Sequence, residues 1–514
     1  MKSELRNTLY ASVAMYTEFV LGMVTSILIA RHMGPDAFGS YSAAIWLVAL
    51  GVALVNSGTA SGAIRFIAEF RGSGKQNRIG ILISRLESLQ LIYLLLVLVG
   101  LALLMVFAGD AIVPVLDRRL LFGFLVVAVA MRSSYMFRIG VIKGNEDFRS
   151  VALIALVASP LNLLMVLLVI LLGMPEHWFF LAFIASSLVF FALSRWQTRQ
   201  YLVDKAGSLD DATSRRLRRQ VAYSTAIVSL GFISASELEV TLLSMFGSAH
   251  GAGQFKVAHQ LATGAAMLVP GVFAALMLPV MARALGEGEH VAGRKFATST
   301  TYLMFLAAPL AAFACVLGPV MVRLLYGGAY EQAAVWFPAV LICTCLLAST
   351  AAGSSLLLSA DKQSSILALL AGCAVVKLAL GGVLVHAFSL TGAMITFVVT
   401  SLLNAFVTMH MAARLAKAPL EWGRMRSVVF ASIIAAAITY AGTLWLAPFP
   451  AVFVGAALFA LAYIGSTILL GYWQEDDLEV VASLVRRLPA NVRGLGDWTI
   501  RMARARGVRS GGSA

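Results

Sequence analysis

Charge is what this sequence has least of. Asp, Glu, Lys and Arg make up 12% of the 514 residues while 60% are hydrophobic, about half the charge share of an ordinary soluble domain. No stretch is polar enough to fold as a soluble domain, so an integral membrane protein is expected throughout. Cysteine is nearly as scarce. Cys315, Cys343, Cys345 and Cys373 all fall in apolar stretches, away from any loop where an oxidant or metal could reach them. They read as small packing residues, not disulfide partners or ligands. A phosphate-binding Gly-x-x-x-x-Gly-Lys-Ser/Thr loop is missing too. Gly72-Ser73-Gly74-Lys75 lacks its leading spacing and follows no strand, so ATP is not the expected fuel. Nor is there a His/Glu metal motif or a Gly-x-Ser-x-Gly elbow, and neither a metal, a cofactor nor an enzyme activity is expected.

What the chain has instead is apolar runs, each near the ~20 residues a membrane-spanning helix requires. Fourteen can be drawn: 8–30, 40–63, 86–108, 120–140, 151–173, 178–193, 221–246, 257–282, 297–322, 335–359, 364–386, 391–413, 427–447 and 451–473. The short alternating pattern of a membrane β-barrel does not occur, so the fold class expected is all-α with fourteen transmembrane helices. The first run is followed by the bulky, charged Arg31-His32, unlike a signal-peptide cleavage site, and is expected to stay as a helix.

The 39 Lys and Arg residues are distributed unequally among the connections. With the N-terminus in the cytosol, the inner segments carry 32 and the outer ones five: Arg31, Arg118, Arg119, Lys256 and Arg323. That imbalance orients both termini toward the cytosol and requires an even number of spans. It also accounts for the net charge of +14 without nucleic acid. Arg138, at the cytosolic end of the fourth run, is counted with the connection that follows. Arg132 and Lys377 remain deep inside apolar runs.

The chain carries traces of a duplication. Gly39-x-Tyr41, Ile67-Ala68 and Gly72-x-Gly74 recur as Gly253-x-Phe255, Met281-Ala282 and Gly286-x-Gly288, all at an offset of 214 residues. Gly34 matches Gly247 at 213. Chance recurrence in a Gly- and Ala-rich chain is the competing explanation. Read as a duplication, the pattern gives an N-lobe (1–196, spans one to six), a basic cytosolic linker (197–220) and a C-lobe (221–414, spans seven to twelve). Accessory spans thirteen and fourteen (427–473) and a tail (474–514) follow. Two such lobes would be related by an axis along the membrane normal, as in transporters that rock around a central site. In the tail, Leu478, Val481, Leu484 and Leu488 share one helical face, as an interfacial helix would, before a basic end at 501–514 expected to be disordered.

The segment Ala30-Arg31-His32-Met33-Gly34-Pro35-Asp36-Ala37-Phe38-Gly39-Ser40-Tyr41, with Asn7, Gly58 and Arg65-Phe66-Ile67-Ala68-Glu69, resembles the opening of the Wzx-like polysaccharide flippases. These belong to the multidrug/oligosaccharidyl-lipid/polysaccharide (MOP) exporter superfamily. The resemblance implies a V-shaped pair of six-helix lobes that moves undecaprenyl-pyrophosphate-linked oligosaccharide from the inner to the outer leaflet of the cell inner membrane. It further implies membrane lipids, glycosyltransferases and a polysaccharide polymerase as partners. Peptidoglycan-precursor flippases share the fourteen spans, but their arginine-rich first span is not found here, where Glu18 is the only charge. Multidrug exporters of the superfamily usually stop at twelve. A polymerase or acyltransferase is a third alternative, which the short outer loops disfavour.

Within the apolar runs, Arg132 and Lys377 suit a pyrophosphate, Arg by a bidentate contact and Lys as a point charge. The competing reading has each paired with Glu18, Glu237 or Glu239 to fix helix packing. These three carboxylates could alternatively couple transport to H+ or Na+, since a carboxylate in low dielectric can take up and release a proton. On a continuous helix Glu237 and Glu239 would point about 200° apart, one to a cavity and one to a neighbour. Arg65 and Arg323 lie at span ends, where snorkelling competes with substrate binding. Asn56, Asn162, His259, Gln260 and Asn404 could line a sugar path or bond between helices. Pro160, Pro270 and Pro279 are expected to kink their helices.

Overall fold

A computed structural model describes residues 2–74, 76–112, 117–201, 210–235, 237–274, 276–475, 477–479, 482 and 504, and no strand occurs among them. The first five helices are α1 (Lys2–Gly72), α2 (Ile79–Ile112), α3 (Arg118–Gly144), α4 (Phe148–Leu171) and α5 (Trp178–Thr198). Next come α6 (Asp211–Ala235), α7 (Leu238–Phe246) and α8 (Ala249–Ala266), then a π-helical turn (Met267–Gly271), α9 (Val272–Ala274) and α10 (Met277–Glu287). The chain continues with α11 (Glu289–Tyr326), α12 (Glu331–Ser349), α13 (Ala351–Ser359), α14 (Gln363–Ala416), α15 (Trp422–Thr443) and α16 (Pro448–Leu469). Among the described residues ten helices are long and apolar enough to cross a membrane, or eleven if α6 and α7, bent by 58°, count as one span.

Two of these helices are interrupted. In α1 the break is at Gly34 (φ 73°, ψ 173°), where glycine supplies the left-handed φ and the following Pro35 has no N–H to donate. In α14 it is at Ser389 (φ 49°, ψ −124°). A straight helix over the 48 residues Leu9–Asn56 would be about 70 Å long, more than twice the ~30 Å hydrocarbon core. Both breaks fall between apolar runs drawn from the sequence. Three helix starts carry a side-chain cap. Asp117 accepts from the Arg119 N–H at 3.1 Å and Asp147 from the Ser150 N–H at 3.1 Å. At the start of α6 the Thr213 hydroxyl and N–H donate to Asp210 and hold its carboxyl below the usual range. The expected disturbance at Pro270 is a π-helical turn containing that residue; such turns are frequent at functional sites.

The chain packs as two compact units. Met1–Val257 with Leu367–Phe397 form one; Ala258–Ile366 with Val398–Ala514 form the other. In the first, α1 packs on α2, α3, α4 and α6. Phe66, Leu82, Phe137 and Leu217 form one buried cluster there, and Tyr135, Ile139, Ala155 and Phe190 another. In the second, α11 packs on α12, α15 and α16, with Ala431, Ala435, Phe459 and Tyr463 in a cluster against Phe305 and Phe313. Outward faces are apolar as well: Leu95, Phe107, Phe406, Trp445 and Leu461 are more than half exposed. Surface of that kind has a lipid as its natural neighbour.

Of the tail, Leu478 is buried and Glu479 exposed, while Val481, Leu484 and Leu488 lie outside the described residues, as does most of 501–514. Arg504 is described, with its Nε 2.8 Å from Glu475.

Candidate functional site

Arg132 sits on the part of α3 that faces α5. Its guanidinium carbon is 4.9 Å from the Phe183 ring centroid and 4.6 Å from that of Phe190. Nε donates to Ser187 Oγ at 2.9 Å, and Nη2 reaches Ser186 Oγ at 3.5 Å. Two aromatic faces and two hydroxyls therefore hold the cation by cation–π attraction and neutral hydrogen bonds. The nearest acid is one step removed. Tyr135, one helical turn along, donates its phenol to Glu18 Oε1 at 2.9 Å, so this carboxylate is bonded to the phenol and not to the guanidinium. The geometry leaves positive charge with spare N–H donors, the arrangement that an anion could complete.

Lys377 has a different setting. It lies on α14 with 1% of its side chain exposed, and its Nζ is 3.1 Å from Oε2 of Glu239, which is 0% exposed. Nζ also donates to the Ser234 carbonyl at 3.3 Å. Neither Glu239 oxygen takes a directed hydrogen bond, so the ammonium is what balances this carboxylate. That is the pairing weighed above against headgroup binding, and it closes Lys377 off from any ligand in this conformation.

Glu237 and Glu239 do not share a continuous helix. α6 ends at Ala235 and α7 begins at Leu238, so the 200° argument fails at its premise. Glu237 pairs with Lys256 of α8 and Glu239 with Lys377. Each acid thus has a lysine partner from another helix.

The weaker candidates are mostly engaged within the protein. Arg65 is exposed and donates to Gln220 at 2.6 Å; Arg323 is half exposed and bonded in bidentate fashion to Glu331, with Nε 2.8 Å from Oε2. Asn56 is buried, and its Oδ1 accepts from Gln90, which also bonds the Ser133 carbonyl. Asn404 accepts from Thr408 at 3.2 Å. His259 is buried, Gln260 and Asn162 are partly so, and Asn162 stands two residues beyond Pro160 within α4. The four cysteines are free thiols. Among the described residues no group of three or more metal-ligating side chains occurs.

Two charged clusters escaped the sequence reading. Arg138 is 8% exposed, donates to Thr198 at 3.0 Å and lies 3.4 Å from Glu87. Both residues stand at the ends of their apolar runs, where a charge reads as part of the adjoining connection. Arg424 at the start of α15 bonds Glu421 at 2.9 Å, Asp477 at 2.6 Å and the Tyr472 carbonyl at 3.1 Å. It also lies 4.5 Å from the Tyr472 ring centroid, and Asp477 accepts from Tyr302. This cage ties the beginning of the tail to α11 and α15.

Two cavities lie in the second unit. One of about 380 Å³ is lined by small or apolar side chains of α11, α12 and α15, among them Ala308, Ala311, Cys315, Leu346 and Ile433. The other, of about 390 Å³, has Phe273 and Met277 beside the π-helical turn on one wall and Tyr302, Phe305, Tyr472 and Trp473 on another.

The family model described as "Polysaccharide biosynthesis protein" matches residues 5–285, a little over half of the chain. No curated protein matches it by sequence. Among solved structures, the chain is similar to the lipid II flippase MurJ in an inward closed conformation. The TM-score is 0.70 at 11% identity, covering 90% of this chain and 98% of that one. An inward-facing multidrug resistance MATE family transporter of the MOP superfamily gives 0.63 at 16% identity, over 80% and 99%. A MOP superfamily transporter from Pyrococcus furiosus gives 0.53 at 16% identity, over 81% and 96%. At these identities the likeness concerns the fold. The chain belongs to the polysaccharide biosynthesis protein family, and its all-helical fold is similar to that of the MurJ flippase and of MATE transporters.

Proposed function

We propose that this protein flips an undecaprenyl-pyrophosphate-linked oligosaccharide from the cytosolic to the outer leaflet of the cell inner membrane by alternating access. The carrying observation is Arg132, a guanidinium within an apolar helix that is held by Phe183, Phe190, Ser186 and Ser187 and not neutralised by a directly paired acid. A cation at that depth is costly unless something uses its charge, and the pyrophosphate of a lipid-linked glycan is an anion able to accept its spare donors. Membership of a polysaccharide biosynthesis family supports the glycan as cargo.

In this reading the chain crosses the membrane fourteen times with both termini in the cytosol. α1 divides at Gly34 and α14 at Ser389, α6–α7 and α8–α10 each make one bent crossing, and the crossings group as two lobes of six plus α15 and α16. The glycan and pyrophosphate pass beside Arg132, while the prenyl tail stays in lipid. Glu18, bonded to Tyr135 next to Arg132, is the acid best placed to exchange a proton as the headgroup arrives and leaves. Glycosyltransferases supply the substrate and a polymerase receives it.

Deleting the gene tests the reading. Lipid-linked glycan should accumulate on the cytosolic leaflet and return to normal export when the wild-type chain, but not Arg132→Ala, is supplied. Unaltered glycan export with a changed drug tolerance would assign the protein to small-molecule efflux instead.

A further inference from the structure

The residues on either side of the two sequence repeats touch one another, and they do so reciprocally. A Cβ placed on Gly39 would collide with the Ala249 carbonyl oxygen and lie 2.8 Å from the Gly253 nitrogen. One placed on Gly253 would collide with the Pro35 carbonyl oxygen and lie 2.9 Å from Pro35 Cα. Adding 214 to Pro35 and Gly39 gives Ala249 and Gly253, so the two contacts are the same contact made twice with the partners exchanged. Between them, Asp36 Oδ2 lies 3.2 Å from Nδ1 of His250, a residue separation of 214, so a position meets its own counterpart. The next repeat-related residues behave alike: Tyr41 packs edge-on to Phe180 at 5.2 Å, and Phe255 edge-on to Phe397 at 6.0 Å. Phe180 and Phe397 lie in the sixth apolar run of their respective repeats. Residue i on j with j on i, and one residue on its own equivalent, is the pattern of an isologous contact around a two-fold axis. All of these residues belong to one compact unit.

We infer that this seam is the outer closure of the transport path: Gly39 and Gly253 let the backbones of the two repeats meet, and Asp36 with His250 latches them on the axis. Backbone contact without side chains between leaves no gap at these two positions. The latch is exposed, with 76% of Asp36 and 42% of the His250 side chain open to solvent, and it is chemically modest. Gln254 meets the other ring nitrogen of His250 at 3.1 Å. An exposed pair of this kind contributes little net free energy, which suits a contact that must part in each cycle. The claim that parting accompanies transport rests on the flippase reading; the two-fold seam does not.

The test uses the full-length chain with its four native cysteines changed to alanine and with Asp36→Cys and His250→Cys together. Oxidation should join the two sites, cut glycan flipping in proteoliposomes at least tenfold relative to the same protein kept reduced, and reductant should restore the rate. Spin labels at the two positions should give a short and a longer distance, with their ratio shifting when lipid-linked glycan is added. No cross-link under oxidation, transport undiminished by complete cross-linking, or a single short distance with and without substrate would each overturn the inference. Distances that switch in a protein that flips no glycan would uphold the seam and sink the flippase reading alone.

Discussion

Removing one member of the Lys377–Glu239 pair should be far costlier than removing both. The side chains are 1% and 0% exposed and their charged atoms 3.1 Å apart, which at an effective dielectric near 20 corresponds to about 5 kcal/mol of attraction. Lys377→Met keeps the aliphatic stem's volume but strands a carboxylate that takes no directed hydrogen bond. Glu239→Gln strands an ammonium. Breaking a buried pair in this way costs about 3–5 kcal/mol, whereas replacing both charges is often near neutral. Unfolding in mixed micelles of increasing denaturing detergent, followed by tryptophan fluorescence, measures the cycle. Each single variant should lose about 3 kcal/mol or more, and Lys377→Met/Glu239→Gln should return to within about 1 kcal/mol of wild type. Single variants that each cost under about 1 kcal/mol, and that add in the double, would refute the reasoning. If Lys377→Met then also abolished glycan flipping, the lysine would be a headgroup ligand and not a structural counter-ion.

Other consequences follow from the same contacts. Arg132→Lys, which keeps the charge but not the fork, should retain a reduced fraction of glycan export, and Arg132→Met should retain none at normal folded yield; equal export by Met would make the charge dispensable. Arg424→Ala leaves Asp477 buried at 7% exposure without its cation. It should destabilise the protein by about 3 kcal/mol and hasten proteolytic release of the tail, a loss visible by mass on a gel. Arg138→Met should be worse tolerated than Arg138→Met with Glu87→Gln, measured by detergent-resistant folded yield. Cys345, 2% exposed, should resist a lipophilic maleimide in native protein while the exposed Cys315 reacts; prompt labelling of Cys345 would contradict the packing around it.

The membrane-spanning elements were legible because twenty apolar residues have few other destinations. The interruption at Gly34 was visible too, as a glycine followed by proline between two apolar runs. Ser389 was not, since a serine in a left-handed conformation carries no comparable signal. Site chemistry was legible by type and not by partner. The carboxylates and cations inside the apolar runs were identifiable as expensive, but which acid meets which lysine depends on how distant helices pack. Glu237 and Glu239 were misjudged because both were placed on one helix, whereas Glu237 is the capping residue before α7. Arg424 was hidden among loop charges: a positive residue near a span end usually snorkels, and only the folded tail supplies the Asp477 that buries it. The repeat offset of 214, weak as sequence, is matched by reciprocal contacts at Gly39, Gly253, Asp36 and His250.

The central claim is that Arg132 meets the pyrophosphate of a lipid-linked glycan during flipping. Its most direct test is purified protein in proteoliposomes loaded with undecaprenyl-pyrophosphate-linked oligosaccharide, scored by how fast the glycan becomes accessible to a glycosidase on the opposite side. Wild-type protein should expose it and folded Arg132→Ala should fall to the rate of protein-free liposomes. Equal rates for the two proteins, or no flipping by wild type with this substrate, would contradict the account.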